Sequence, residues 1–145
     1  MIKLKVNDYG KVVAPLKTVT INTLFAKSVI CQQISGSVYV DNDKEPKVFY
    51  IVHPYGMSIL FGNTESENFN EDLFFYLTNQ HKVRNKYEWL QVPNSWRNKV
   101  EIILGSYLVK KDPSNKHGVL DTEYVSRVVE NTRVNFVFDI NKYKE

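Results

Sequence analysis

The sequence contains one cysteine and no long apolar run. A lone Cys31 cannot form a disulfide within the chain, which favours a reducing cytoplasm over a secreted setting. No apolar stretch approaches the roughly 20 residues that span a bilayer. The first eight residues also lack the apolar core of a signal peptide. We therefore expect a cytoplasmic protein that does not enter a membrane.

The short motifs of common active sites are also missing. The sequence has no Gly-x-Ser-x-Gly, no Walker loop and no Rossmann fingerprint. Its three histidines, His53, His81 and His117, stand far from one another and from Cys31, so no spacing predicts a metal site. The net charge is only +3 and the lysines and arginines are scattered. This distribution gives no strong reason to expect a nucleic-acid partner.

What is present is an ordinary globular composition. Hydrophobic residues make up 43% of the chain and charged residues 24%, which argues against disorder. A length of 145 residues suits one domain with a real core. Because no repeat, linker or low-complexity tract divides the chain, we predict a single domain over residues 1–145.

The stretch from Lys47 to Gly62 has the strongest pattern. Two apolar runs, Val48–Val52 and Met57–Phe61, flank the sequence His-Pro-Tyr-Gly at positions 53–56. Aromatic and β-branched residues around such a break predict two strands joined by a tight turn. The runs are nearly continuous in apolar residues, which is typical of strands covered on both faces. We expect this pair at the centre of a sheet.

Periodicity and turn residues predict the other elements. They indicate a β-α-α-β-β-β-α-β-α-β order and an α/β (α+β) fold. The polar segments Asp41–Pro46 and Lys110–Gly118 predict a hairpin turn and a mobile loop. The first predicted elements are a strand with Ile2, Leu4 and Val6, and a helix with Tyr9, Val12, Val13 and Leu16 that is capped by Asn7 or Asp8. A second helix is predicted from Thr20, with Ile21, Leu24, Phe25, Ser28 and Val29 on one stripe. The remaining predictions are strand Ser37–Val40, helix Phe69–Asn79, strand Tyr87–Val92, a helix capped by Asn94 or Ser95 and closed by Gly105, and a long strand Val125–Asp139.

Three segments of the chain resemble a bacterial family of GNAT-type acetyltransferases. They are INTLFAKSV at residues 21–29, FYIVHPYGMSILFG at residues 49–62 and RNKYEWLQ at residues 84–91. The resemblance implies a GNAT-like fold, with a mixed, mostly antiparallel central sheet flanked by about four helices. It also implies acetyl-CoA as the family's cofactor. Family proteins are roughly twice as long, so the chain resembles their N-terminal half, and the CoA-binding half would follow Glu145.

The segment that would carry a pyrophosphate loop in a GNAT enzyme is Leu60–Asp72. The family loop has the form Arg/Gln-x-x-Gly-x-Gly/Ala, because glycines let backbone N–H groups approach the phosphates at a helix start. Here the segment has Gly62 but no Gly-x-Gly, no arginine and no lysine. Carboxylates in it would instead satisfy the helix dipole and repel phosphate: Glu65, Glu67, Glu71 and Asp72. We expect this chain to bind no acetyl-CoA by itself.

Four residues form a candidate pocket. His53 could act as a general base, and Tyr55 could donate a proton to a leaving thiolate. Both also fit a purely structural role in the turn, with His53 hydrogen-bonded to the backbone. Tyr87 and Trp89 lie on the next predicted strand, where they would pack inward or line the pocket. Cys31 has no histidine near it in sequence, and we expect a buried, inert thiol.

Three functions remain open at this level. The first is an N-terminal GNAT-like scaffold or acceptor-side domain, which packs against a C-terminal GNAT half or a copy of itself. The second is a complete but divergent acetyl-CoA-dependent N-acetyltransferase with His53 or Tyr55 as base. The third is a non-catalytic module that binds a protein or a small ligand. A small-molecule acceptor is compatible with the first two functions, so whether the chain is an enzyme stays open.

Overall fold

A computed structural model describes residues 1–84, 87–110, 128–131 and 140–143. The helices within these residues are α1 (Gly10–Leu16), α2 (Leu24–Ile30), α3 (Glu67–Leu77), α4 (Asn94–Leu104) and α5 (Ile140–Tyr143). The strands are β1 (Ile2–Lys3), β2 (Ser37–Val40), β3 (Val48–His53), β4 (Met57–Gly62), β5 (Trp89–Gln91), β6 (Leu108–Lys110) and β7 (Val128–Glu130).

The central sheet has five strands in the order β1-β2-β3-β4-β5. Strands β1 to β4 are antiparallel to their neighbours, whereas β5 is parallel to β4. A separate two-stranded parallel sheet joins β6 to β7. A mixed, mostly antiparallel sheet with four flanking helices confirms the GNAT-like fold predicted from the sequence.

The β3–β4 pair lies at the centre of the sheet, as predicted. Its register runs from Val48 opposite Gly62 to His53 opposite Met57. Five of the six β3 residues are buried, because helices cover both faces of the sheet. This double cover explains why the two strands are continuously apolar.

The core is therefore divided into two layers. On one face, α1 and α2 cover side chains such as Phe49 and Ile51. On the other face, α3 and α4 cover Tyr50 and Leu60, which alternate with the first set along the strands. Trp96 of α4 is fully buried in this second layer.

The turns that shape the sheet have local causes. One oxygen of Asp41, Oδ1, accepts backbone N–H groups from Lys47 and Val48 at 2.9 and 3.0 Å. Asn42 Oδ1 accepts two further backbone N–H groups inside the same turn. Short polar side chains of this kind stabilise turns by replacing backbone acceptors. The predicted hairpin turn over Asp41–Pro46 is confirmed.

Strand β4 ends at Gly62, whose φ of +99° is a conformation that L-residues other than glycine rarely adopt. A Cβ at this position would overlap with the carbonyl oxygen of Lys47, the residue directly before β3. The indole Nε1–H of Trp96 donates a hydrogen bond to the Gly62 carbonyl oxygen at 3.0 Å. Gly62 thus joins three elements: β3, β4 and α4.

Several boundaries differ from the sequence predictions. Residue Val6 lies in a 3-10 turn after a shorter first strand, and α2 begins at Leu24, which is exposed. The side chain of Asn22 explains the late start, because its oxygen accepts the Leu24 N–H and forms a local turn instead. The predicted burial of Cys31 is wrong, since the residue follows α2 at the surface. The cap of α4 is Pro93 instead of Asn94 or Ser95.

The C-terminal predictions are tested only in part. Gly105 ends α4 with a φ of +49°, as predicted. Most of the predicted loop Lys110–Gly118 and of the predicted strand Val125–Asp139 lies outside the described residues. Within that strand, β7 covers Val128–Glu130. Strand β6, which follows α4 after a 3-10 turn at Gly105–Tyr107, was not predicted from the sequence.

We predict that Gly62→Ala destabilises the fold. The new methyl group would overlap with the Lys47 carbonyl oxygen, and the native backbone would hold the alanine at a positive φ. Together these two effects should lower the free energy of unfolding by about 2 kcal/mol or more. Urea denaturation followed by circular dichroism measures this change.

Gly10→Ala provides a matched control, because nothing lies within 4 Å of a Cβ at this first residue of α1. Its free energy of unfolding should stay the same or rise by up to about 1 kcal/mol. Equal stabilities of the two variants would contradict the role given to Gly62.

Candidate functional site

The four residues of the candidate pocket lie at one end of the sheet, where the β3–β4 turn meets β5. The backbone N–H of Trp89 donates to the Gly56 carbonyl oxygen at 2.7 Å, which joins the turn to β5. The structure thus brings the four sequence positions together. However, Tyr55, Tyr87 and Trp89 are 82%, 71% and 69% exposed. All three side chains are exposed near the place where the β3–β4 turn meets β5, and we call them the aromatic edge below.

His53 differs from the other three because its side chain is buried. Its ring lies between Phe25 of α2 and Tyr55, with centroid distances of 6.3 and 5.1 Å. Its Nδ1 accepts the backbone N–H of Tyr55 at 3.2 Å, so the ring proton of the neutral imidazole is on Nε2. This is the backbone-bonded arrangement that the structural interpretation of His53 predicts.

The loop between β4 and α3 is held by its own polar groups. Asn63 Oδ1 accepts the Glu65 N–H at 2.8 Å, and Asn70 Nδ2 donates to the Thr64 carbonyl oxygen at 2.8 Å. The Glu65 carboxylate accepts a hydrogen bond from Thr64 Oγ1 and pairs with Lys99 of α4 at 3.1 Å. These two contacts, the Thr64 bond first, lower the pKa of Glu65. The loop therefore carries an ionised carboxylate at neutral pH.

On the α3 side of the sheet, two tyrosines converge on one carboxylate. Tyr50 of β3 donates its hydroxyl proton to Glu88 Oε1, and Tyr76 of α3 donates to Glu88 Oε2 at 2.9 Å. The Tyr50 hydroxyl also lies 3.2 Å from Ser58 Oγ, which is fully buried. We call Tyr50, Tyr76 and Glu88 the tyrosine–glutamate cluster. It links β3, α3 and the start of β5.

Both tyrosines in the cluster are held in the protonated form. Burial is the main cause that raises the pKa of Tyr50 well above its usual value, and the charge of Glu88 adds to it. The same two causes, in the same order, raise the pKa of Tyr76. A neutral hydroxyl can donate a hydrogen bond, whereas a phenolate beside a carboxylate would repel it. The cluster therefore acts as a fixed pair of donors around one acceptor.

The end of α3 positions Tyr76 within the cluster. Asn79 has a φ of +52°, and its N–H donates to the Tyr76 carbonyl oxygen, while Gln80 N–H donates to that of Phe75. These are the two hydrogen bonds of a Schellman motif. Arg84 adds its guanidinium, which donates to the carbonyl oxygens of Tyr76 and Leu77 at 3.0 and 2.7 Å. A positive charge at the carboxyl end of a helix is stabilising.

Glu88 was not predicted as a site residue, although it lies between two candidate residues. Side chains alternate along an extended segment, so Tyr87 and Trp89 share one face and Glu88 faces the opposite one. Because Tyr87 and Trp89 were predicted to pack inward or line the pocket, the same alternation placed Glu88 outward, and the exposure of the two aromatic side chains reverses this prediction. Lys99 could not be found in this way, because it is more than 30 positions from Glu65.

The structure shows no metal centre in the part of the chain that it describes. No group of three or more His, Cys, Asp or Glu side chains lies close enough there to hold a metal ion. None of the helices in the described residues is long and apolar enough to cross a membrane.

We predict that the tyrosine–glutamate cluster makes the fold less stable at high pH. An unfolded tyrosine loses its proton near pH 10, whereas the folded state keeps it because the pKa of Tyr50 is raised. The stabilisation is therefore complete below about pH 10 and is lost as the pH rises further. Urea denaturation between about pH 8 and 11 should show the decline, and Tyr50→Phe should make it shallower. At neutral pH this variant should lose about 2 kcal/mol.

Tyr55→Phe is the control, because Tyr55 is exposed and lies outside the cluster. It should leave both the neutral-pH stability and the decline above about pH 10 unchanged. If Tyr50→Phe and Tyr55→Phe show the same pH dependence, the cluster does not couple proton binding to folding.

Comparison of the chain with protein-family models, with curated proteins and with solved structures gives no match. A function for this protein therefore has to be argued from the geometry of its own residues.

Proposed function

We propose that this chain is a GNAT-like scaffold or acceptor-side domain of an N-acetyltransferase-type protein, and that it does not hold acetyl-CoA itself. The observation that carries the proposal is the ion pair between Glu65 and Lys99 at the start of α3. In a GNAT-like fold this is where a pyrophosphate would need cations and open backbone N–H groups.

The polar groups of this loop are directed at one another. The ammonium of Lys99, beside the loop, forms an ion pair with the Glu65 carboxylate, and the Glu65 N–H donates a hydrogen bond to Asn63 Oδ1. Glu67 adds a second carboxylate in the first turn of α3. A pyrophosphate would have to displace these contacts and approach two negative charges, which repel it.

The aromatic edge supports the scaffold role. Three large exposed aromatic side chains close to one turn, Tyr55, Tyr87 and Trp89, are unusual for a face that stays in water. Aromatic residues are enriched in protein interfaces, where their burial contributes strongly to binding. We infer that this surface packs against another domain: a C-terminal GNAT half or, in the isolated chain, a second copy.

The first test is isothermal titration of the chain with acetyl-CoA. We expect no saturable heat up to millimolar ligand, since the loop has no free cation for the pyrophosphate. Glu65→Gln should release Lys99 and bring weak binding into the measurable range, whereas Glu45→Gln in the exposed β2–β3 turn should not. Micromolar binding by the unchanged protein would overturn the proposal and favour a divergent acetyltransferase.

The second test is sedimentation velocity over a range of protein concentrations. We expect a reversible dimer in the micromolar range, and Trp89→Ser should shift it toward monomer by about tenfold or more in Kd. Ile102→Ser is the matched control, because Ile102 is 77% exposed but lies on α4. A protein that stays monomeric, or an equal effect of the two variants, would contradict packing through the aromatic edge.

A further inference from the structure

A shallow groove lies between Tyr39 of β2 and the carboxyl-terminal half of α3. Helix α3 covers β3 and β4 but leaves Tyr39 of β2 partly open. The resulting groove has a volume of about 210 Å³. We call it the edge groove. It is lined by Met1, Tyr39, Asp72, Phe75, Tyr76, His81 and Val83.

The walls of the edge groove are aromatic. The rings of Tyr39 and Tyr76 have centroids 6.1 Å apart with planes inclined by 49°, and those of Phe75 and His81 lie 5.0 Å apart. Aromatic faces attract cations through the ring quadrupole. Tyr76 already makes one such contact, because the Arg84 guanidinium carbon lies 5.4 Å from its ring centroid.

The groove also contains one carboxylate, which the Met1 α-ammonium pairs with. Asp72 of α3 is among the lining residues, and no lysine or arginine is. Behind the wall, the Tyr76 hydroxyl donates to the Glu88 carboxylate. This carboxylate places a second negative charge near the ring, and the Arg84 guanidinium over the same ring offsets part of it.

The structure also shows an ammonium group in this position. The Met1 α-ammonium pairs with the Asp72 carboxylate inside the groove. Burial lowers the pKa of this amine. The amine therefore loses its proton, and with it the ion pair, at a lower pH than an exposed α-amino group would. A quaternary ammonium in the place of the Met1 amine would keep its positive charge at any pH.

We propose that the edge groove binds an organic ammonium, and that it favours a quaternary head group over a primary amine. A quaternary nitrogen is suited to an aromatic cage because it keeps its charge and presents methyl groups to the rings. A primary ammonium is strongly hydrated and gains less from such walls. The volume is below the roughly 300–1,000 Å³ of sites for drug-sized ligands, which fits a head group on a larger molecule.

The test is a titration of the full chain with choline, followed by amide chemical shifts in two-dimensional NMR spectra. It is run at about pH 8.5, where a free α-amino group is mostly neutral. We expect saturable shifts at Tyr39, Asp72 and Phe75. The neutral isostere 3,3-dimethylbutanol, which has carbon in place of nitrogen, should bind about tenfold more weakly. Equal binding of the two compounds would overturn the proposal, since it would show a merely apolar groove.

Three variants distinguish binding in the groove from a general attraction of choline to surface carboxylates. Asp72→Asn should weaken choline binding about threefold, as expected for a partly exposed ion pair. Glu71→Gln changes the neighbouring exposed carboxylate, which does not line the groove, and should leave the Kd unchanged. Phe75→Leu keeps the groove apolar but removes a ring, and it should also weaken choline without affecting the isostere. The same Kd in all three variants would overturn the proposal.

A peptide with trimethyllysine carries the same trimethylammonium group as choline. Comparing the two compounds shows whether the groove suits a small molecule or a protein side chain. If it binds as choline does, the groove recognises the head group alone and suits a small molecule. If it binds tenfold or more tightly, neighbouring residues add contacts and a protein side chain is the better ligand. Absence of binding by both compounds would overturn the proposal.

Discussion

The pairing of β3 with β4, buried on both faces, is the constraint on which the rest of the structure depends. Each strand must present apolar side chains alternately to two layers of helices, so the sheet can neither slide nor turn over without exposing a layer. Gly62 marks the end of this pair, and Trp96 donates to its carbonyl oxygen from α4. The placement of α3 and α4, and hence of every polar cluster near them, follows from that junction.

The same junction determines what the β4–α3 loop can do. A GNAT-like sheet delivers the chain to a helix start, where a positive dipole is available to an anion. In this protein Glu65, directly before the N-cap of α3, pairs with Lys99 of α4, and Glu67 lies in the first turn of the helix. Our proposal that this loop does not hold acetyl-CoA rests on these polar contacts and not on the fold.

The polar chemistry lies instead on the α3 side of the sheet. Tyr50 and Tyr76 donate to the two oxygens of Glu88, and Tyr76 also forms a wall of the edge groove. One tyrosine thus belongs both to a buried hydrogen-bonded cluster and to an open aromatic surface. Its position is set by the Schellman motif and by Arg84 at the end of α3. The helix end therefore controls the geometry of the groove.

Local chemistry in the sequence determined much of this fold. Apolar runs and turn residues predicted the β3–β4 pair and the Asp41–Pro46 turn, because strand period and turn chemistry act over a few residues. They also brought His53, Tyr55, Tyr87 and Trp89 into one candidate set. Only the tertiary structure decided that three of them are exposed, that Lys99 reaches Glu65 and that Glu88 receives two tyrosine hydroxyls. These contacts join residues 10 to 40 positions apart, and their geometry depends on how helices pack on the sheet, which no local pattern specifies.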